Sequence, residues 1–263
     1  MSAAGTALIT GASSGIGREL ARLFARDHYD LVLVARSVDK LDRLGAELAR
    51  EHGIRSRTIG ADLASPDAPG AIVETLQQAA VTVDVLVNNA GYGTFGPFAT
   101  TELRTELDLL AVNVVALTHL TKLLLPGMLA RRTGRILNVA STAAFQPGPF
   151  MAVYYASKAY VLSFSEALAE ELSGSGVSVT TLGPGPTPTG FQARARLEGV
   201  PFATANPLVV DAATVARAGY RGLMQGRRLV VPGLGNKLLM QAVRFTPRRL
   251  VVKLVRVLQA RRA

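Results

Sequence analysis

Short apolar runs recur along the chain, separated by longer stretches whose apolar positions repeat every three or four residues. The short runs predict strands over Thr6–Thr10, Leu31–Ala35, Ser56–Gly60, Val83–Asn88, Arg135–Ala140, Ser178–Leu182 and Leu229–Val231. Ile16, Leu20, Leu23 and Phe24 fall at helical spacing, as do Leu41, Leu44 and Leu48, and later Leu162, Leu168 and Leu172. Strands that are apolar throughout and alternate with helices predict parallel βαβ units with both sheet faces covered. The expected fold is a doubly wound α/β parallel sheet of about seven strands in three layers. Residues 1–232 read as one domain, and 233–263 as a helical extension of it. Within the domain Gly183–Pro207 holds Pro184, Pro186, Pro188, Pro201 and Pro207 and reads as a substrate lid over 184–207.

Composition narrows the class. The 263 residues are 49% hydrophobic and 18% charged, which supports a sizeable core and excludes a disordered chain. No Cys is present, so disulfides and thiolate metal sites are excluded. With no leader pattern at Met1–Thr6 and no long run free of polar residues, the expectation is a cytoplasmic protein without a spanning helix. The net charge of +10 is unevenly placed. Met1–Asp211 holds 17 Lys and Arg against 19 Asp and Glu, whereas Ala212–Ala263 holds 12 Lys and Arg and no acid. The near-neutral body argues against a nucleic-acid partner.

The first predicted strand runs into Thr10-Gly11-Ala12-Ser13-Ser14-Gly15-Ile16-Gly17 and then a helix. Gly11 permits a tight turn, Gly15 lets backbone approach a pyrophosphate, and Gly17 allows close helix–strand packing. The helix start offers unpaired N–H groups to phosphate. The same residues also match Gly-x-Ser-x-Gly, a hydrolase nucleophile elbow. That chemistry needs a late His, and the His residues are His28, His52 and His119.

Thr10–Gly17, the Asn88-Asn89-Ala90-Gly91 turn and Tyr154-x-x-x-Lys158 together resemble the short-chain dehydrogenase/reductase family over about residues 5–232. The resemblance implies a Rossmann-like fold and an oxidoreductase. Ser141, 13 residues before Tyr154, and Asn113, on the helix after the Asn turn, match its remaining positions. It implies that Ser141 holds the substrate oxygen, that Tyr154 is the general acid or base, and that Lys158 binds the nicotinamide ribose. It also implies that Asn113 anchors a water that relays protons to Lys158. Tyr154 and Lys158 share a helix face, so the ammonium is expected to lower the phenol from its usual pKa of about 10. Asp62 and Leu63 match the adenine contact, and Pro184, Gly185 and Thr189 match the nicotinamide side.

The second strand ends Ala35-Arg36-Ser37 with no acid, and Arg36 suits a ribose 2′-phosphate, so NADP(H) is expected over NAD(H). The segment Ala143–Met151, Phe95 and Phe98, and lid residues Phe191, Leu197, Val200 and Phe202 predict apolar site walls. Beyond Arg194 and Arg196 the sequence shows no obvious anion-binding cluster there. Hydrophobic ketones or aldehydes are the expected substrates, handled by a homo-oligomer (dimer or tetramer). A dinucleotide-binding scaffold that has lost turnover is the alternative.

At the C-terminus Thr246-Pro247 reads as an N-cap and first helical residue. Leu250, Val251, Leu254, Val255 and Leu258 then form an apolar stripe, with Arg249, Lys253 and Arg256 off it. Leu238, Leu239, Ala242 and Val243 mark an earlier helix. Three placements are open for the stripe: on the body or substrate entrance, at a subunit contact, or on a membrane surface. A nucleic-acid partner is not expected, because Phe245 is the one aromatic among these charges.

Overall fold

The computed structural model describes residues 3–189 and 208–260. The seven expected strands are present as β1 (Thr6–Thr10), β2 (Asp30–Ala35), β3 (Ser56–Gly60), β4 (Val85–Asn88), β5 (Gly134–Val139), β6 (Val177–Leu182) and β7 (Leu229–Val230). They form one sheet in the order β3-β2-β1-β4-β5-β6-β7, and each neighbouring pair is parallel. The order reverses between β1 and β4, which opens a crevice at the C-terminal strand ends. β4 begins two residues later than its apolar pattern. The Val83 carbonyl accepts from Arg131 at 2.9 Å, and the Asp84 carboxylate accepts the Thr6 N–H at 2.8 Å.

Alternate residues of each central strand enter opposite layers. Ala7, Ile9, Leu31 and Leu33 pack with Leu20 and Phe24 of α1 (Gly15–Arg26) and Leu41, Leu44 and Leu48 of α2 (Val38–His52). Val215 and Leu223 of α7 (Ala212–Met224) complete that layer. Leu8, Val32, Val34 and Leu86 face the other way. There they meet Ile72 and Leu76 of α3 (Ala68–Gln78), Leu120 of α5 (Leu117–Ala130) and Leu168 of α6 (Ala152–Glu171). The period of two along a strand thus covers both faces.

The run from α4 (Leu103–Leu110) through a π-helical turn (Ala111–Ala116) into α5 is one helix of 28 residues. By length and composition it is apolar enough to cross a membrane, a feature the expectation of no spanning segment missed. Its Ala116, Leu120 and Met128 belong to the core on the sheet, whereas Leu103, Leu107, Val115, Leu123 and Leu129 are exposed. The C-terminal segment forms α8 (Leu234–Phe245) and α9 (Arg248–Ala260). Thr246 does not cap α9 as its sequence position predicted. Its hydroxyl donates back to the Ala242 carbonyl at 2.7 Å, and the Pro247 carbonyl accepts the first N–H bonds of α9.

Candidate active site

The Gly turn between β1 and α1 takes the shape its residues require. Gly11 has φ 67°, and a Cβ there would lie 2.8 Å from Asn89 Nδ2. Thr10 Oγ1 accepts the Asn89 and Ala90 N–H groups, each at 3.0 Å. Asn89 Nδ2 donates to the Thr10 and Gly11 carbonyls at 2.9 and 3.2 Å. The two turns are therefore locked together, and the Asn89 side chain serves that lock while its residue lines the cleft. Ser14 precedes α1 without a side-chain cap. The first N–H groups of α1 therefore face a cleft of about 610 Å³ lined by Ser13, Ser14, Gly15 and Ile16. Among the described residues no His lines this cleft, so the turn is not placed as a hydrolase elbow.

Tyr154 and Lys158 lie one turn apart on α6, both buried. Ser141 follows β5 and starts a short 3₁₀ turn (Thr142–Phe145), its Oγ accepting the Ala143 N–H at 3.1 Å. Ser141 is hydrogen-bonded to the Tyr154 phenol. Lys158 Nζ donates to the Val139 carbonyl at 2.9 Å and stands 5.9 Å from the centre of the Tyr154 ring. Asn113 sits in the π-helical turn, a local widening found frequently at functional sites. Its Nδ2 donates to Ser157 Oγ and to the Tyr92 carbonyl, each at 3.0 Å, and its Oδ1 accepts the Tyr92 N–H at 3.1 Å. Ser157 in turn donates to the Tyr154 carbonyl at 2.7 Å. Four residues from three separate elements are thus brought together at the C-terminal end of the sheet.

The expected lowering of the Tyr154 pKa is corrected. Burial pushes the phenol up to about 12, outweighing the Ser141 hydrogen bond that pulls the other way. Burial also pushes Lys158 down to about 8. Burial disfavours the charged form of each group, which raises the phenol and lowers the ammonium.

At the other end of the cleft, Arg36 lies 3.9 Å from Asp62, each side chain about half exposed. Lys40, one turn into α2, lines the same end. Asp39 sits in the first turn of α2 and outside the cleft lining. Leu63, Ala90, Gly91, Pro184, Gly185 and Thr189 also line the cleft. Thr189 stands over the Gly turn, because a Cβ on Gly15 would lie 2.9 Å from its Cγ2. Phe191, Arg194, Arg196, Leu197, Val200 and Phe202 lie outside the described residues.

The family model for "short chain dehydrogenase" matches residues 5–198. The chain belongs to this family. It is 35% identical over 225 residues to a protein of Pyrenophora tritici-repentis named very-long-chain 3-oxoacyl-CoA reductase, covering 84% of this chain and 65% of that one. It is similar to the structure of a short-chain dehydrogenase from Sphingobium yanoikuyae in complex with NADPH. The TM-score there is 0.82 at 35% identity, covering 91% of this chain and 92% of that one. A short-chain dehydrogenase from Burkholderia phymatum in complex with NAD gives a TM-score of 0.80 at 26% identity, with 92% of each chain covered. The first curated relatives are longer: the matched region spans 51% to 65% of their length.

In this short-chain dehydrogenase, two cleft-lining residues, Lys40 and Gln259, and one behind the lining, Asn236, escaped the motifs. Lys40, in the first turn of α2, carries no motif of its own. Gln259, near the end of α9, is buried and donates to the Tyr155 hydroxyl at 3.0 Å. Asn236, fully buried on α8, donates to the Pro232 and Leu208 carbonyls at 2.9 and 3.0 Å and abuts Gly185. Only its burial marks Asn236 out, for an amide on an apolar-spaced helix carries no motif.

Proposed function

We propose that this short-chain dehydrogenase is an NADP(H)-dependent oxidoreductase that interconverts an apolar ketone or aldehyde and its alcohol. The hydrogen-bonded Ser141–Tyr154 pair beside buried Lys158 carries the reading. A bound nicotinamide cofactor supplies or accepts the hydride. The cleft fits such a group: a Gly turn where side chains would collide, an uncapped helix start, and Arg36 with Lys40 at the β2 end. Arg36 and Lys40 suit a 2′-phosphate, which favours NADP(H) over NAD(H). The neighbours, one with NADPH and one with NAD, leave that choice to these residues.

Ser141 holds the substrate oxygen by its hydroxyl. Tyr154 donates the proton to that oxygen in reduction and removes it in oxidation. A phenol raised to about 12 holds its proton at neutral pH, which suits reduction. Asn113, fixed by Ser157 and Tyr92, anchors a water that returns protons through Lys158. Asp62 and Leu63 hold the adenine end, and Thr189, Pro184 and Gly185 the nicotinamide end.

The wall beyond Tyr154 includes Ala143, Met151 and Tyr155, with the Gln146 and Gln259 amides beside them, and its apolar part suits an apolar substrate. The relatives' name makes a long-chain 3-oxoacyl thioester the first to try. Exposed Leu103, Leu107, Val115 and Tyr160 on α4–α6 suit a homo-oligomer contact. A carbonyl panel followed by NADPH absorbance tests the reading. Turnover on apolar ketones that is lost in Tyr154→Phe is expected. Activity confined to small hydrophilic carbonyls, or none in the unmodified protein, overturns it.

A further inference from the structure

The two C-terminal helices each carry three distinct faces. One packs on the body: Asn236 on α8, and Val251, Val255 and Gln259 on α9, are buried. The second is apolar and open to solvent. It holds Leu234, Leu238 and Phe245 on α8, and Leu250, Leu254, Val257 and Leu258 on α9, each more than half exposed. Their spacing of three, four or seven residues keeps each set on one side of its helix. The third face is basic, with Lys237 and Arg244 on α8 and Arg249, Lys253 and Arg256 on α9, all exposed. Of the five stripe residues whose placement the sequence leaves open, Val251 and Val255 pack on the body, and Leu250, Leu254 and Leu258 do not.

Charge decides what covers the open half. From Leu234 to Ala260 the chain has six Lys and Arg and no acid, and no acid occurs anywhere after Asp211. A second copy docking face to face would bring two sets of cations together with no carboxylate from this segment between them. An apolar stripe flanked by cations matches the boundary between acyl chains and anionic headgroups.

We propose that α8 and α9 dock this protein on an anionic phospholipid bilayer, with the exposed leucines and Phe245 entering the acyl boundary and the basic face meeting headgroup phosphates. The opposite side of α9 reaches the cleft, where Gln259 lines the wall beside Tyr155 and Met151. The bilayer and the substrate wall are then two sides of one helix, and an apolar substrate enters from the lipid. The docking surface stands apart from the chemistry proposed above, and its test involves no turnover.

The test is flotation of the purified full chain with vesicles of phosphatidylcholine alone, or of phosphatidylcholine with phosphatidylserine. The chain is expected to float with the anionic vesicles and far less with the neutral ones, and added salt should release it. Leu250→Ser with Leu254→Ser should weaken anionic binding by about tenfold or more. Arg249→Ala, Lys253→Ala and Arg256→Ala together should do likewise. All five side chains are exposed, so the thermal transition and NADPH binding of these variants should match the parent. No flotation, or flotation unchanged in both variants, overturns the proposal. Light scattering that shows the parent as an oligomer and the leucine variant as a smaller species, with no vesicle binding, would assign the face to a second copy.

Discussion

Lys158 Nζ donates to the Val139 carbonyl at 2.9 Å, joining α6 to the last residue of β5. The bond fixes where the ammonium stands, yet burial still lowers it from 10.5 to about 8. A folded pKa below the unfolded one means that the unfolded chain binds more protons between those values. Stability therefore rises with pH across that window. Below it the ammonium is charged in both states, and its burial costs on the order of 3 kcal/mol. Lys158→Met removes that cost along with the bond to Val139. Its stability relative to the parent should be highest near pH 7 and fall steadily as pH rises above about 8. Tyr154 acts oppositely, losing stability from about 10 to about 12, so the comparison belongs below that range. Urea unfolding of both proteins at several pH values checks it, and a difference flat with pH would show that the ammonium is hydrated.

Tyr154→Phe removes only a hydroxyl. Reductive turnover should fall by about 10²- to 10⁴-fold, the usual contribution of a positioned acid. NADPH affinity and thermal stability should stay near those of the parent, because the ring and its packing remain. In the parent, reduction should be nearly insensitive to pH around neutrality, whereas oxidation, which needs the phenolate, should accelerate as pH rises. Steady-state rates in both directions decide this, and a variant that retains reduction would place the proton donor elsewhere.

Much of this was legible in the chain because it is local. The strands are apolar runs, the Gly turn is eight consecutive residues, and Tyr154 and Lys158 share a helical turn. The site's supports are not local. Asn88 donates to Thr121 and Asn138, and Asn138 donates to Ser165. These residues come from four elements, and no spacing rule connects them. Gln259 meets Tyr155 across 104 positions. The pKa of Tyr154 was misjudged for the same reason: pairing with Lys158 is visible in sequence, whereas the depth of burial is a property of the assembled layers.

Arg36 and Lys40 line the β2 end of the cleft, and the function proposed above gives them a 2′-phosphate to hold. A charge-assisted contact contributes about 1.5–3 kcal/mol. Arg36→Ala should therefore raise the KM for NADPH by about ten- to a hundredfold and leave that for NADH nearly unchanged. The exposed Arg36–Asp62 pair is too weak for its loss to alter folding. Kinetics with both cofactors measure the effect, and equal losses would mean that Arg36 acts on the shared adenosine or on the shape of the loop.

Gln259 is the one residue of the last helix whose amide reaches the cleft wall, 3.0 Å from the Tyr155 hydroxyl and 3.8 Å from the Met151 sulfur. Tyr155 adjoins Tyr154 in sequence, and their rings meet edge to face at 5.9 Å. A shift of Gln259 therefore moves the wall that an apolar substrate touches before it disturbs the acid. Gln259→Leu keeps roughly the volume and loses the donor, at a stability cost of about 1 kcal/mol. The KM for long apolar ketones should change by about three- to tenfold, with kcat for a small ketone held. A fall in kcat shared by every substrate, with KM unmoved, would show that Gln259 acts by positioning α6 and Tyr154 rather than by shaping the wall.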